Sequence, residues 1–148
     1  MIVEVNEENL DLAARIHAES WQDSHRSFCT PDFVAAHDQK HQRIYLEEEL
    51  HAGKQVYMLI KDRPVGIVSI KDSLIENLYV LPEAQGQGFG TELLLFAIQK
   101  CDGVPCLWIL DNNQRAQALY ERHGFRLTGR KNSITDTLSE LEMKRTNT

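Results

Sequence analysis

A chain of 148 residues, 42% hydrophobic and 26% charged, reads as one domain, residues 1–148, around a single core. Its net charge of −6 argues against nucleic acid or an anionic membrane as partner, and suits the approach of cationic amines while also serving solubility. No apolar run is long enough to cross a bilayer, and the first residues lack a basic-then-apolar leader. Cys29, Cys101 and Cys106 are odd in number and lack metal-ligand spacing, which points to a reducing, cytoplasmic setting and to no metal site.

In chain order, Ile2-Val3-Glu4-Val5 alternates as a strand, and Asn6 is placed to cap a helix with Leu10, Ala13, Ala14, His17 and Trp21 near one side. Ser20 to Thr30 reads as a helix end plus loop. Pro31 sits at a favourable first-turn position, and Asp32 to His51 reads as helical with a break near Asp38. From Gln55 the period changes to that of strands. Val56–Ile60, Val65–Ile70 and Leu74–Leu81 are joined by short turns and predict an antiparallel meander. A helix over Gly88–Lys100, a strand over Cys106–Leu110, a helix over Gln114–His123, a strand over Phe125–Thr128 and a last strand ending near Leu141-Glu142-Met143 follow. This order predicts an α/β fold with a mixed sheet and helices on both faces.

The most informative stretch runs from Leu78-Tyr79-Val80-Leu81-Pro82 through Gln85-Gly86-Gln87-Gly88-Phe89-Gly90-Thr91 into an apolar helix. Strand, glycine loop, helix is an anion-binding arrangement. Glycines let main-chain N–H groups converge, and the first helical turn adds unpaired N–H groups and the positive end of its dipole. No Gly-Lys-Ser/Thr follows, so this is not a Walker loop. Thr91 stands where a dinucleotide fingerprint needs its third glycine. A second segment, Asn113 to Phe125, has an N-cap Asn. Ala116, Leu119, Tyr120 and His123 lie on one side of its helix, and Gly124 is at its end.

Together the Gln-x-x-Gly-x-Gly loop at Gln85, Gly88 and Gly90 and the Asn113…Ala116…Tyr120…Gly124-Phe125 segment resemble the GNAT-type N-acetyltransferases, which hold acetyl-coenzyme A. The resemblance is best from Lys54 onward. It implies a single-domain GNAT fold with a mixed sheet of about seven strands, as such α/β layers allow. It implies direct acetyl transfer from acetyl-coenzyme A to a primary amine of a small molecule or peptide, without an acyl-enzyme. Leu78, Tyr79 and Val80 would line the pantetheine arm. Gln85, Gly86, Gln87, Gly88, Phe89, Gly90 and Thr91 would hold the pyrophosphate. Asn113 would cap its helix and touch the cofactor, and Tyr120 would protonate the leaving thiolate.

Several features depart from the family. Gln85 and Gln87 occupy places often basic in relatives, so phosphate binding would rest on backbone N–H groups. A glutamate that some relatives carry on the strand after the glycine-loop helix is absent here, where Trp108 or an apolar neighbour stands. Glu76 is the candidate base. Strand alternation puts it on the face of Leu78 and Val80, so it reaches the amine only if local twist or a bulge opens that face toward the cleft. Trp21, His25 and Phe28 are expected to shape the acceptor site, with His25 on a loop bordering it. A non-catalytic acyl-coenzyme A-binding module of the same fold is the alternative function, and a homodimer is left open.

Overall fold

The computed structural model describes residues 1–146; the last two residues of the expected domain lie outside the described residues. Seven strands form one sheet in the order β1-β2-β3-β4-β5-β7-β6. β1 (Ile2–Glu4), β2 (Gln55–Ile60), β3 (Pro64–Lys71) and β4 (Leu74–Val80) pair antiparallel in succession, which is the expected meander with one strand added. β4 meets β5 (Cys106–Leu110) in parallel, and β7 (Ser139–Arg145) lies antiparallel between β5 and β6 (Phe125–Ser133).

Register assigns the helices to faces. Tyr57 pairs with Val68 and packs edge-on against Phe96 of α4 (Phe89–Lys100). Tyr79 pairs with Ile67, the next residue of β3, and stacks on His17 of α1 (Leu10–His25). Adjacent strand residues point to opposite faces, so α4 covers one face and α1 the other. α1 seals its side with fully buried Leu10, Ala13 and Ala14, and α4 seals the opposite side with Leu93, Leu94 and Ala97. Gly66 allows α4 to sit this close. A Cβ there would lie 2.7 Å from Leu93 Cδ1 and 3.0 Å from the Tyr79 carbonyl oxygen.

The first third departs from the sequence reading. α1 continues through Ser20 to His25, so His25 stands on a helix and not a loop. Its N-cap is Asn9. The Asn6 carboxamide oxygen instead accepts from the Glu8 and Asn9 backbone N–H groups in a turn ahead of the helix. The break near Asp38 is complete and separates two helices, α2 (Pro31–Ala36) and α3 (Gln39–His51). Thr30 caps α2, and Asp38 caps α3 by accepting from His41 N–H at 3.0 Å. β6 also runs past the expected Thr128 to Ser133, with a register shift between Leu127 and Lys131.

Candidate active site

β4 and β5 share a single registered pair, Leu74 with Cys106. Beyond it they part, and a cleft of about 870 Å³ opens between them. The peptide groups of β4 that face β5 past this point have no strand to pair with, so they remain available to an extended, amide-bearing guest.

A bulge shapes the β4 wall. Ile67 pairs with Tyr79 and Ser69 with Glu76, so two steps on β3 match three on β4. The extra residue is accommodated at Asn77, whose φ of 53° lies in the left-handed region that Asn tolerates better than most side chains. The bulge overturns the expected alternation. Glu76 lies opposite Ser69 and Val80 opposite Gly66, three residues apart on β3, so Glu76 and Val80 point to opposite faces. Glu76 lines the cleft and also belongs to a polar network with α3. Lys54 Nζ donates to Glu76 at 2.5 Å and to Glu49 at 2.6 Å. Burial opposes ionisation of Glu49, yet hydrogen bonds from Lys54 and Tyr45 hold its carboxyl below the ordinary value. Asn77 Nδ2 donates to Tyr45 Oη and to Ser69 Oγ, each at 3.2 Å. Sequence reasoning missed Asn77 in the cleft wall, and Tyr45 and Lys54 as its braces.

The glycine loop forms the mouth of the cleft. A short 3₁₀ turn, Pro82–Ala84, leads into it, and α4 starts at Phe89 with Gly88 as N-cap. Gly86 and Gly88 have φ of 80° and 85°, and a Cβ on either would meet no atom within 4 Å. The conformation requires glycine, and the space in front of it is open. Six successive backbone N–H groups, Gly86 through Thr91, have no acceptor among the described residues. Gln85 and Gln87 order this loop. Gln85 Nε2 donates to the Val80 carbonyl at 3.1 Å, and Gln87 Nε2 to that of Ala84 at 3.4 Å. Of the expected loop residues only Gln87 stands back from the cleft; Gln85, Gly86, Gly88, Phe89, Gly90 and Thr91 line it. Positive charge comes from α5 (Gln114–Arg122), whose Arg115 and Arg122 also line the cleft.

On that helix the Asn113 side chain accepts from Ala116 N–H at 3.1 Å, as its N-cap role requires. Asn113 and Tyr120 line the same cleft as Leu78, Tyr79 and Val80. Burial pushes the Tyr120 phenol up to about 12, so it is protonated at any working pH. Tyr79 is raised further, again by burial. Among the acceptor candidates, His25 and Phe28 line the cleft and Trp21 does not. The indole stacks between two imidazoles, His25 at 3.9 Å and His37 at 3.7 Å. None of the three cysteines lines the cleft, and burial raises the Cys101 thiol to about 11, away from reactivity. No helix among the described residues is long and apolar enough to cross a membrane.

A split parallel strand pair, with a glycine-loop helix N-terminus at its mouth and a tyrosine in its wall, is the arrangement of a coenzyme A-type acyltransferase. Residues 15–125 match the model of the Acetyltransferase (GNAT) family, and the chain belongs to that family. It is 30% identical over 70 residues to the peptidyl-lysine N-acetyltransferase YjaB of Salmonella typhimurium, a match covering 47% of this chain and 48% of that protein, so about half of the curated relative is spanned. Among solved structures the fold is shared with the PaiA N-acetyltransferase of Thermoplasma acidophilum in complex with coenzyme A (TM-score 0.73, 17% identity, 99% and 98% of the two chains). It is also shared with apo YjaB from Escherichia coli (0.71, 18%, 100% and 98%) and with yncA of Salmonella typhimurium with its cofactor acetyl-CoA (0.68, 20%, 97% and 91%).

Proposed function

We propose that residues 1–148 form one acetyl-coenzyme A-dependent N-acetyltransferase domain, acting in the cytoplasm. It transfers the acetyl group directly to a primary amine of a small molecule or peptide. The observation that carries this reading is the run of six N–H groups from Gly86 to Thr91, at the N-terminus of α4, that find no acceptor among the described residues. Backbone donors left without acceptors cost stability unless a guest satisfies them. A diphosphate with the helix dipole behind it fits their number and polarity. Arg115 and Arg122 add the charge that the loop lacks. The lysine-acetylating relative supports a lysine or peptide amine as acceptor.

Acetyl-coenzyme A would supply the activated acyl group and a thiolate leaving group. The chain's residues supply the rest. The parted edge of β4 at Leu78, Tyr79 and Val80 orients the arm that carries the thioester. The Tyr120 phenol, at about 12, is a weaker acid than a thiol of about 8.5. It therefore first donates a hydrogen bond to the thiolate, and it releases its proton only as it is itself re-protonated from the amine nitrogen. With no cysteine in the cleft, direct attack by the amine needs no covalent stop on the protein.

Calorimetry with acetyl-coenzyme A, then with a nucleotide lacking pantetheine, tests the cleft. Thiol release across a panel of primary amines tests turnover. Binding of acetyl-coenzyme A with turnover of at least one amine is expected. Binding without turnover of any amine would favour the non-catalytic acyl-coenzyme A module, and no binding would reject both.

A further inference from the structure

We propose that His25 accepts the proton of the acceptor amine through its Nε2 atom, an inference that rests on the transferase reading above. The ring lines the cleft at the end of α1, beside Ser24 and Phe28. Its Nδ1 lies 2.8 Å from the Trp21 carbonyl oxygen. A carbonyl only accepts, so Nδ1 carries the hydrogen and the neutral ring keeps its lone pair on Nε2. Ser24 Oγ also lies 2.8 Å from Nδ1; its hydroxyl hydrogen goes to the Trp21 carbonyl at 3.0 Å, so its oxygen accepts from Nδ1 and this tautomer stays in place.

The ring is also held in orientation. It stacks on Trp21 at 3.9 Å with an interplanar angle of 10°, and Phe28 closes on it at 5.1 Å. Trp21 in turn is backed by His37 at the C-cap of α2, whose own Nδ1 lies 2.9 Å from the Phe33 carbonyl. The indole is thus a fixed plate, and the direction of the Nε2 lone pair is fixed with it. Burial lowers the His25 pKa. The Trp21 carbonyl opposes this, and His37, the titratable neighbour at the C-cap of α2, lowers it further. On α1 its titratable neighbours are His17 and Asp23, and Arg26 follows, 3.7 Å from the Asp23 carboxylate. The ring is therefore neutral and able to accept at neutral pH.

The other candidates in the cleft are less free. Lys54 holds Glu76, and that bridge must open before the carboxylate can turn to an amine. Asp23 faces Arg26. The balanced step is then as follows. The ammonium form of the acceptor gives one proton to His25 Nε2, and the freed nitrogen pair forms the C–N bond. The C–S bond breaks with its electron pair on sulfur, and sulfur takes the Tyr120 proton. The second N–H proton passes to the Tyr120 oxygen, and His25 returns its own proton to solvent.

The test combines spectroscopy of the protein alone with kinetics. Nitrogen-15 NMR of the imidazoles should show His25 as the Nδ1-protonated neutral tautomer, titrating below the ordinary histidine value; an Nε2-protonated ring would overturn the proposal. With an amine that wild type turns over, His25→Gln should lower kcat by about 100- to 1000-fold. It should also remove the acid-side break in log kcat while acetyl-coenzyme A affinity holds within about twofold, as expected when only an acid–base group is lost. If His25→Gln loses acetyl-coenzyme A binding, His25→Ala with added imidazole decides: rescue supports the role and its absence overturns it. An acid-side break that persists in His25→Gln and vanishes in Glu76→Gln would also overturn it. Wild type that binds acetyl-coenzyme A and acetylates no amine would instead refute the transferase reading on which the proposal stands.

Discussion

The Asn77 carboxamide donates to the Tyr45 hydroxyl across 3.2 Å, and this contact ties helix α3 to the strand that walls the cleft. It secures a left-handed residue inside a strand, with Ser69 Oγ as its second acceptor. The neighbouring residue, Glu76, returns to α3 through Lys54 and Glu49. Hydrogen bonds and an ion pair therefore brace the bulge at Glu76 and Asn77. The bulge turns Tyr79 toward α1 while Val80 turns toward α4, and it lies along the wall that parts from β5.

Asn77→Val should break this brace. A β-branched residue at φ 53° is strained, and two buried acceptors lose their donor. Together these should cost about 2–4 kcal/mol of stability. Tyr45→Phe removes the hydrogen bond from Asn77 and the one to Glu49, with no backbone strain, and should cost about 1–2 kcal/mol. Urea midpoints measure both. If the bulge shapes the acyl end of the cleft, both variants should also weaken acetyl-coenzyme A binding by calorimetry, Asn77→Val more. An Asn77→Val protein of wild-type stability would show that the bulge does not depend on this side chain.

Gly88→Val tests the phosphate cradle. The new Cβ meets no protein atom, so packing does not forbid it, but φ of 85° does. The strain should cost about 1–3 kcal/mol, and the branched side chain occupies the space before the unpartnered N–H groups. Acetyl-coenzyme A binding should be lost in a protein that still unfolds cooperatively. Unchanged affinity would place the diphosphate elsewhere.

How far the site was legible in the sequence differs between its two halves. The glycine loop and the Asn113–Tyr120 helix are local. Their conformations follow from glycines at positive φ and from a capping Asn, so spacing alone locates them. The β4 wall is not local. A bulge leaves no mark on a run such as Leu74–Val80, in which the residues of both faces are at least partly buried. Its brace joins positions 45, 49, 69, 76 and 77 from three elements with position 54 from the connection after α3. The polar residues after Ser20 read as a loop because their helix side chains face a cleft and not a core. There Trp21, His25 and His37 stack on one another, where sequence periodicity looks for aliphatic contacts.

Tyr120→Phe addresses the leaving group. The ring packs beside Phe125 at 5.9 Å, and no hydrogen bond to its hydroxyl occurs among the described residues. The substitution should therefore leave stability nearly unchanged. If the phenol serves the thiolate, kcat should fall about 10- to 1000-fold with little change in acetyl-coenzyme A affinity. Single-turnover thiol release measures the chemical step directly. Full activity in Tyr120→Phe would assign the proton to water.

His17 provides a pH signature of the folded state. The ring is 3% exposed, stacks on Tyr79 at 5.1 Å and lies tilted against Tyr45 at 5.3 Å, and its Nδ1 has no partner among the described residues. Burial, with help from His37 and against Glu49, lowers its pKa to about 4. Above pH of about 6.5 the ring is neutral in both the folded and unfolded chain, and its full contribution is present. As pH falls toward 4 the unfolded chain binds a proton that the folded one refuses, so stability declines. Below about 4 both states are protonated and the loss is complete, at roughly 3 kcal/mol. Carboxylates titrate in the lower part of the same window, so the comparison must be with His17→Phe, which keeps a ring in the stack and removes the titration. Wild type should lose about 3 kcal/mol more than His17→Phe between pH 7 and pH 4 in urea midpoints multiplied by the m-value. Near pH 7 the two should be close in stability, because the substitution also removes an unpartnered buried nitrogen. Parallel losses in the two proteins would mean that the His17 ring is charged, or hydrated, in the fold.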